Sequence, residues 1–241
     1  MTDYPDTWRK PPFIRNTALR RGLWIAILAY VIFGGAFPPS FARADLLIDG
    51  FMESLKIALL ATVAGVGLSI PIAFCAARNI APAPVYYLGR ATIIIARSFH
   101  PVIVAIIFVK AVGFGPFAGV LTLTVYSIGF VAKLLAERIE EIDFGQVEAM
   151  RAAGAPYFST LIYAIAPQIL ARQIGLSIYQ LDSNLRASAV VGLVGAGGIG
   201  ATLANAFGRY DYDFALAITI VIVGVILVSE AISGVIREKV A

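Results

Sequence analysis

Apolar residues in this chain gather into long runs separated by short polar, glycine- or proline-containing breaks. A helix needs ~20 mostly apolar residues to cross the hydrocarbon core of a bilayer. Six runs qualify as spans. The first, Gly22 to Phe37, is short but sufficient if the bilayer thins at its ends. The others are Phe51 to Ala77, Ala91 to Val112, Pro116 to Leu135, Leu161 to Leu181 and Phe214 to Val235. The fifth carries Pro167 and Arg172, and Pro101 is expected to break the third near its middle.

The cations between the runs set an orientation, because Lys and Arg in short connections stay in the cytoplasm. Arg9, Lys10, Arg15, Arg20 and Arg21 place the tail of residues 1–21 inside. Pro38 to Gly50 has one cation against Asp45 and Asp49, and the turn at Gly113 to Gly115 has no charge, so both face outward. Arg78 and Arg90, the segment from Ala136 to Thr160, and the C-terminal Arg237 and Lys239 return to the inside. The expectation is a multi-pass membrane protein with both termini cytoplasmic. It divides into a tail, 1–21, and a transmembrane domain, 22–241. A signal peptide would match the basic tail and first run only in part, since the tail is long and no small-x-small cleavage site follows convincingly.

Composition agrees with this pattern. Of 241 residues, 59% are hydrophobic and only 14% charged, against about a quarter charged in a soluble domain. The excess is too large for one globular core, so the fold class is an all-α membrane protein with about six transmembrane helices. The net charge of +4 then reflects cations retained at the cytoplasmic face rather than nucleic-acid binding. With one cysteine, Cys75, and one histidine, His100, neither an intrachain disulfide nor a multi-ligand zinc site is available, and no metal centre is expected.

The most polar stretch after the tail runs from Glu137 to Thr160. Within it Glu148-Ala149-Met150-Arg151-Ala152-Ala153 favours helix, and Gly154-Ala155-Pro156 reads as a stop and a restart. Two short helices should therefore meet at a sharp turn near 137–160, giving either a plain connection or an elbow for docking a soluble partner. Glu148 and Arg151, three apart, can pair with each other or face that partner. Here the chain resembles the permeases of ABC importers: Glu148, Ala149, Gly154 and Pro167 stand at the spacing of their EAA motif, with Met150, Ala164 and Ala166 departing from it. The resemblance implies that Glu148, Ala149, Arg151, Gly154, Ala155, Pro156 and Tyr157 couple this chain to a cytoplasmic ATPase.

A second candidate proves a decoy. Gly195 to Gly200 satisfies G-x-G-x-x-G, but a dinucleotide loop needs a βαβ unit, and no parallel sheet is legible around it. A re-entrant or broken-helix segment fits better, since irregular backbone is tolerated at membrane depth where protein buries it or water reaches it. Three blocks, Val112 to Leu121, Asp182 to Ser188 and Val190 to Gly200, are similar to the phosphonate importer permeases, whose relatives include phosphite and hypophosphite importers. With the coupling segment, the likeness covers roughly 50–240. It implies the type I ABC importer permease fold and a translocation subunit, not an enzyme. The implied assembly has a second permease copy, two ATPase subunits that bind ATP and Mg, and a periplasmic substrate-binding protein, with lipid around the spans.

Charges inside a span cost at least ~2.5 kcal/mol each and mark functional or paired residues. Asp182 and Arg186, four apart, can form an intrahelical pair. Arg97, Ser98 and His100 precede Pro101 at the expected break; Arg97 either faces the pathway or snorkels to the interface. Asn184, Gly195, Gly197 and Gly198 complete the pathway or gate candidates. An intramembrane enzyme would need a convergent acid, base or nucleophile cluster, and a secondary transporter would show internal repeats. The chain displays neither.

Overall fold

A computed structural model describes residues 38–240 together with Gly22 and Trp24, with side chains described as far as Gly234. Apart from those two positions, the first expected span and the basic tail lie outside the described residues. In chain order the helices are α1 (Ala44–Ala76), α2 (Ala83–Ser98), α3 (Pro101–Val112), α4 (Pro116–Glu140), α5 (Phe144–Ala152), α6 (Tyr157–Thr160), a π-helical turn (Leu161–Ile165), α7 (Ala166–Gly192), α8 (Gly198–Gly208) and α9 (Tyr212–Val240). Among the described residues there is no strand.

Four segments are long and apolar enough to cross a membrane: Ala44–Ala76, Pro116–Glu140, Tyr157–Gly192 and Tyr212–Gly234. The third expected span is two helices, α2 and α3, bent by 92°. Pro101 causes the bend. It lacks an N–H and drives the preceding residues out of the helical region; Phe99 and His100 are both extended, with ψ of 137° and 142°. Pro167 is absorbed differently. The chain winds one π turn before it, so that Ala166 N–H bonds the Leu161 carbonyl five residues back. That spacing takes up the i−4 bond that proline cannot make.

The core is the parallel pair α1 and α4. Small side chains let their backbones approach, as membrane helices require when lipid is as apolar as leucine. Ala58, Ala61, Ser69, Ala73 and Ala76 on α1 and Ala118, Ala132 and Ala136 on α4 are fully buried. Gly65 lies against Ser127, where a Cβ would collide with the serine side chain. Outward, Leu60 and Val63 on α1, Ile94 and Ile95 on α2, Ile107 on α3 and Leu227 and Val228 on α9 are exposed, an apolar coat suited to lipid. Between α1 and α4 small residues thus set the close approach, while Ile57, Leu123, Leu135 and Ile139 fill the rest of the core.

The bundle has two distinct ends. At one, Gly115 N–H bonds the Gly195 carbonyl at 3.0 Å, and Arg43 pairs with Asp211 at 3.0 Å while stacking over Phe214. At the other, Glu140 accepts from Arg78 N–H and from Arg90, each at 2.8 Å, and Asn79 donates to the Ile139 carbonyl. The segments that the cation pattern assigns to one side thus share an end.

Candidate functional site

The segment 137–160 is ordered residue by residue. α4 runs to Glu140, so the first part of the segment continues a span. Asp143 then caps α5, its Oδ1 accepting from Gly145 N–H at 2.9 Å. Val147 is the residue of α5 buried against the bundle, beside Ile139, Ile142, Ile165 and Ile169. α5 ends in a Schellman motif: Ala155 N–H bonds the Met150 carbonyl at 3.0 Å and Gly154 N–H bonds Arg151 at 2.9 Å. Gly154 sits at φ +77°, a conformation that costs an L-residue with a Cβ about 1–2 kcal/mol. Pro156 is extended and starts α6. The elbow projects Glu148, Ala149, Arg151, Pro156 and Tyr157 into the open, with Ala155 half-buried.

Two features here were not legible in the sequence. Glu148 and Arg151 do not pair: among the described residues no ion pair joins them. Both heads are free on one exposed face. And Gln168, directly after Pro167, straps α7 to the elbow. Its Oε1 accepts from Asp143 N–H at 2.9 Å, while its Nε2 reaches the Asp143 carbonyl and Gln146 at 3.3 Å each and the Ala164 carbonyl at 2.8 Å. A glutamine in a mostly apolar run is the only trace of this in the sequence.

The pathway candidates do not converge on one place. On α7, Asp182 is buried and pairs with Arg186 at 2.6 Å, and Ser229 of α9 donates to its Oδ1. Asn184, two residues on, faces the other way. It is wholly buried, and its Nδ2 donates to Thr62 of α1 and Ser127 of α4, both at 2.9 Å. Gln180, one turn earlier, donates to Ser127 and to Asn184 Oδ1, both at 3.0 Å. α7 thus carries a polar clamp on each of two faces. The role of Gln180, Thr62 and Ser127 was missed because their partners are 53 to 122 residues away in sequence.

Gly195, Gly197 and Gly198 form the turn between α7 and α8, at φ of 96°, 81° and 74°. The turn lies against the Gly113–Pro116 hairpin, with the Phe114 ring over Gly195. Ser54 of α1 accepts from Ile199 N–H at 2.9 Å. Two of the sequence blocks, Val112 to Leu121 and Val190 to Gly200, are thereby one structural unit.

Arg97, Ser98 and His100 lie at the α2–α3 break, across α4 from Asn184. Gly129 of α4 makes room for the Arg97 stem. Arg97 is exposed and forms no ion pair among the described residues. Ser98 Oγ bonds back to the Ile94 carbonyl at 2.7 Å. His100 Nδ1 accepts from Val102 N–H at 3.4 Å, which leaves the ring proton on Nε2. Among the described residues no cluster of three or more His, Cys, Asp or Glu is arranged to hold a metal.

Residues 69–241 match the family of binding-protein-dependent transport system inner membrane components. The phosphite transport system permease protein PtxC of Stutzerimonas stutzeri is 41% identical over 92% of this chain and 80% of its own length. The phosphate-import permease protein PhnE of Mycolicibacterium smegmatis is 40% identical over 86% of this chain, which spans 40% of that longer protein. Among solved structures, a chain of the MetNI methionine ABC transporter in an inward-facing conformation superposes with a TM-score of 0.72 at 23% identity, covering 84% of this chain and 99% of that one. That likeness shows a shared fold.

Proposed function

Since this chain belongs to the family of binding-protein-dependent transport system inner membrane components, we propose that it is the permease subunit of an ATP-driven importer for phosphonates or related reduced-phosphorus oxyanions. The relatives named for phosphite and phosphate import support that substrate class. The phosphite permease also supports a narrower reading, a phosphite- or hypophosphite-specific importer.

The observation that carries the mechanism is the strapped elbow. α5 presents unpaired Glu148 and Arg151 outward and is joined to α7 through Gln168. A push on α5 is therefore passed to α7, whose two polar clamps grip α1, α4 and α9. In the proposed assembly two copies of this chain pair in the inner membrane with their termini in the cytoplasm. Each elbow seats in an ATPase subunit that binds ATP and Mg, and a periplasmic binding protein delivers the anion to the outer end, where Gly195, Gly197 and Gly198 shape the turn. Closure of the ATPases swings the elbows and moves α7, and the Asp182–Arg186 and Asn184 clamps set which arrangement of the helices is held. The permease needs no hydrolytic residue of its own.

The test is reconstitution with an ATPase and a binding protein of the same importer. Phosphonate, phosphite, hypophosphite and phosphate are compared as stimulators of ATP hydrolysis and as solutes taken up. Stimulation by none of them overturns the substrate class; stimulation by phosphite and hypophosphite alone selects the narrower reading. In the same system Gly154→Val should distort the end of α5 and reduce uptake per ATP hydrolysed at least fivefold while the protein still inserts. Wild-type coupling would remove the elbow from the mechanism.

A further inference from the structure

The exposed face of α2 and α4 carries a line of cations that the family likeness does not assign. Arg97 lines two clefts at once. One holds His100, Tyr126 and Phe130; the other holds Arg90 and Lys133. The two clefts share Arg97 as a lining residue and so lie side by side along α2 and α4. Arg97 lies level with Gly129, 11 residues before the end of α4 at Glu140, which is about 17 Å at 1.5 Å per residue. The N-terminal end of α4 is about 20 Å away by the same rise. The Arg97 stem is thus level with the middle turns of α4 and within the span, where an unpaired charge is costly and is retained for a reason.

The pairing of the cations changes along the groove. Arg97 meets no carboxylate among the described residues, Lys133 meets Glu137 at 3.6 Å, and Arg90 meets Glu140 at 2.8 Å. Attraction for an anion is therefore greatest at Arg97 and is progressively opposed by carboxylates toward the elbow end. A conducting site needs this shape: entry must be favourable, and release must not be trapped by a second equally strong site. His100 adds an Nε2–H donor at the outer lip, its other nitrogen being held by Val102 N–H. A planar guanidinium fork suits a tetrahedral phosphorus oxyanion, which it engages through two oxygens at once.

Resting on the importer reading above, we propose that Arg97 is the mid-membrane contact for the translocated oxyanion, and that Lys133–Glu137 and Arg90–Glu140 form its release ramp. A lipid phosphodiester presents the same chemistry, and the test separates the two sources. Wild type, Arg97→Gln, Arg97→Lys and Glu137→Gln are reconstituted with the ATPase subunits in liposomes of phosphatidylcholine alone and in liposomes with added phosphatidylglycerol. Uptake of the solute that stimulates the wild type is measured per ATP hydrolysed. Arg97→Gln should lose at least tenfold in both liposomes and Arg97→Lys less than threefold, with each complex intact by size exclusion. Glu137→Gln should lower the half-saturating concentration and the turnover together, because release slows. Uptake by Arg97→Gln equal to wild type overturns the proposal. So does a loss confined to phosphatidylglycerol liposomes, which assigns the groove to lipid headgroups. If the wild type itself imports no phosphorus oxyanion, the substrate reading fails instead, and that result is seen before any variant is compared.

Discussion

At the scale of single residues, the interior is organised by a few buried polar groups that bond across helices. Asn184 spends its amide on Thr62 and Ser127, and Asp182 is held by both Arg186 and Ser229. Removing one partner of a buried ion pair costs more than replacing both, because the orphaned charge must still be desolvated. Arg186 retains about a third of its side-chain exposure, against 6% for Asp182, so part of the penalty is relieved by water. Asp182→Leu should therefore lower stability by about 2 kcal/mol. The double variant with Arg186→Met should recover most of that loss. Thermal melts of the detergent-solubilised protein read both, and equal melting of the single and double variants would mean that the pair is not energetically coupled.

At the scale of elements, the breaks matter more than the helices. α2 and α3 are separated by Pro101, α5 and α6 by Gly154 and Pro156, and α7 and α8 by three left-handed glycines. Each break positions a feature that a continuous helix would bury or misdirect. Gln168 then joins two elements across the elbow without lengthening either. Gln168→Leu deletes bonds to both Asp143 and Gln146 but keeps the helical volume. The expected result is a folded permease whose ATPase partner still turns over while uptake per ATP falls about fivefold, a coupling loss of ~1 kcal/mol. The ratio of uptake to phosphate release measures it. Full retention of that ratio would show that α5 is held by Val147 and its apolar neighbours alone.

At the scale of the whole molecule, orientation is the testable property. Cations cluster at the end that bears Arg78, Arg90 and the elbow, and the opposite end carries the Gly113–Gly115 hairpin. In a Cys75→Ser background, a cysteine at Ala149 should react with a membrane-impermeant maleimide only from the cytoplasmic side. A cysteine at Phe114, a residue that is 86% exposed, should react only from outside. Reversed labelling would place the elbow beyond the reach of any cytoplasmic ATPase.

The apolar runs by themselves determined that this is a multi-span helical bundle, where four of the spans lie, and that the third run breaks at Pro101. Those properties are local: hydrocarbon accepts only a run of sufficient length whose backbone bonds to itself, and Pro101 removes a bond within its own turn. The polar elbow and the Asp182–Arg186 spacing were legible for the same reason, since their partners are a turn or two away. Tertiary structure alone decided that α1 and α4 are the core pair, that Val112 to Leu121 and Val190 to Gly200 form one unit, that Gln168 straps the elbow, and that Arg97 shares a groove with Lys133. These contacts join side chains dozens of residues apart. Their energy depends on which helix faces meet, a matter of three-dimensional packing that no window along the chain contains.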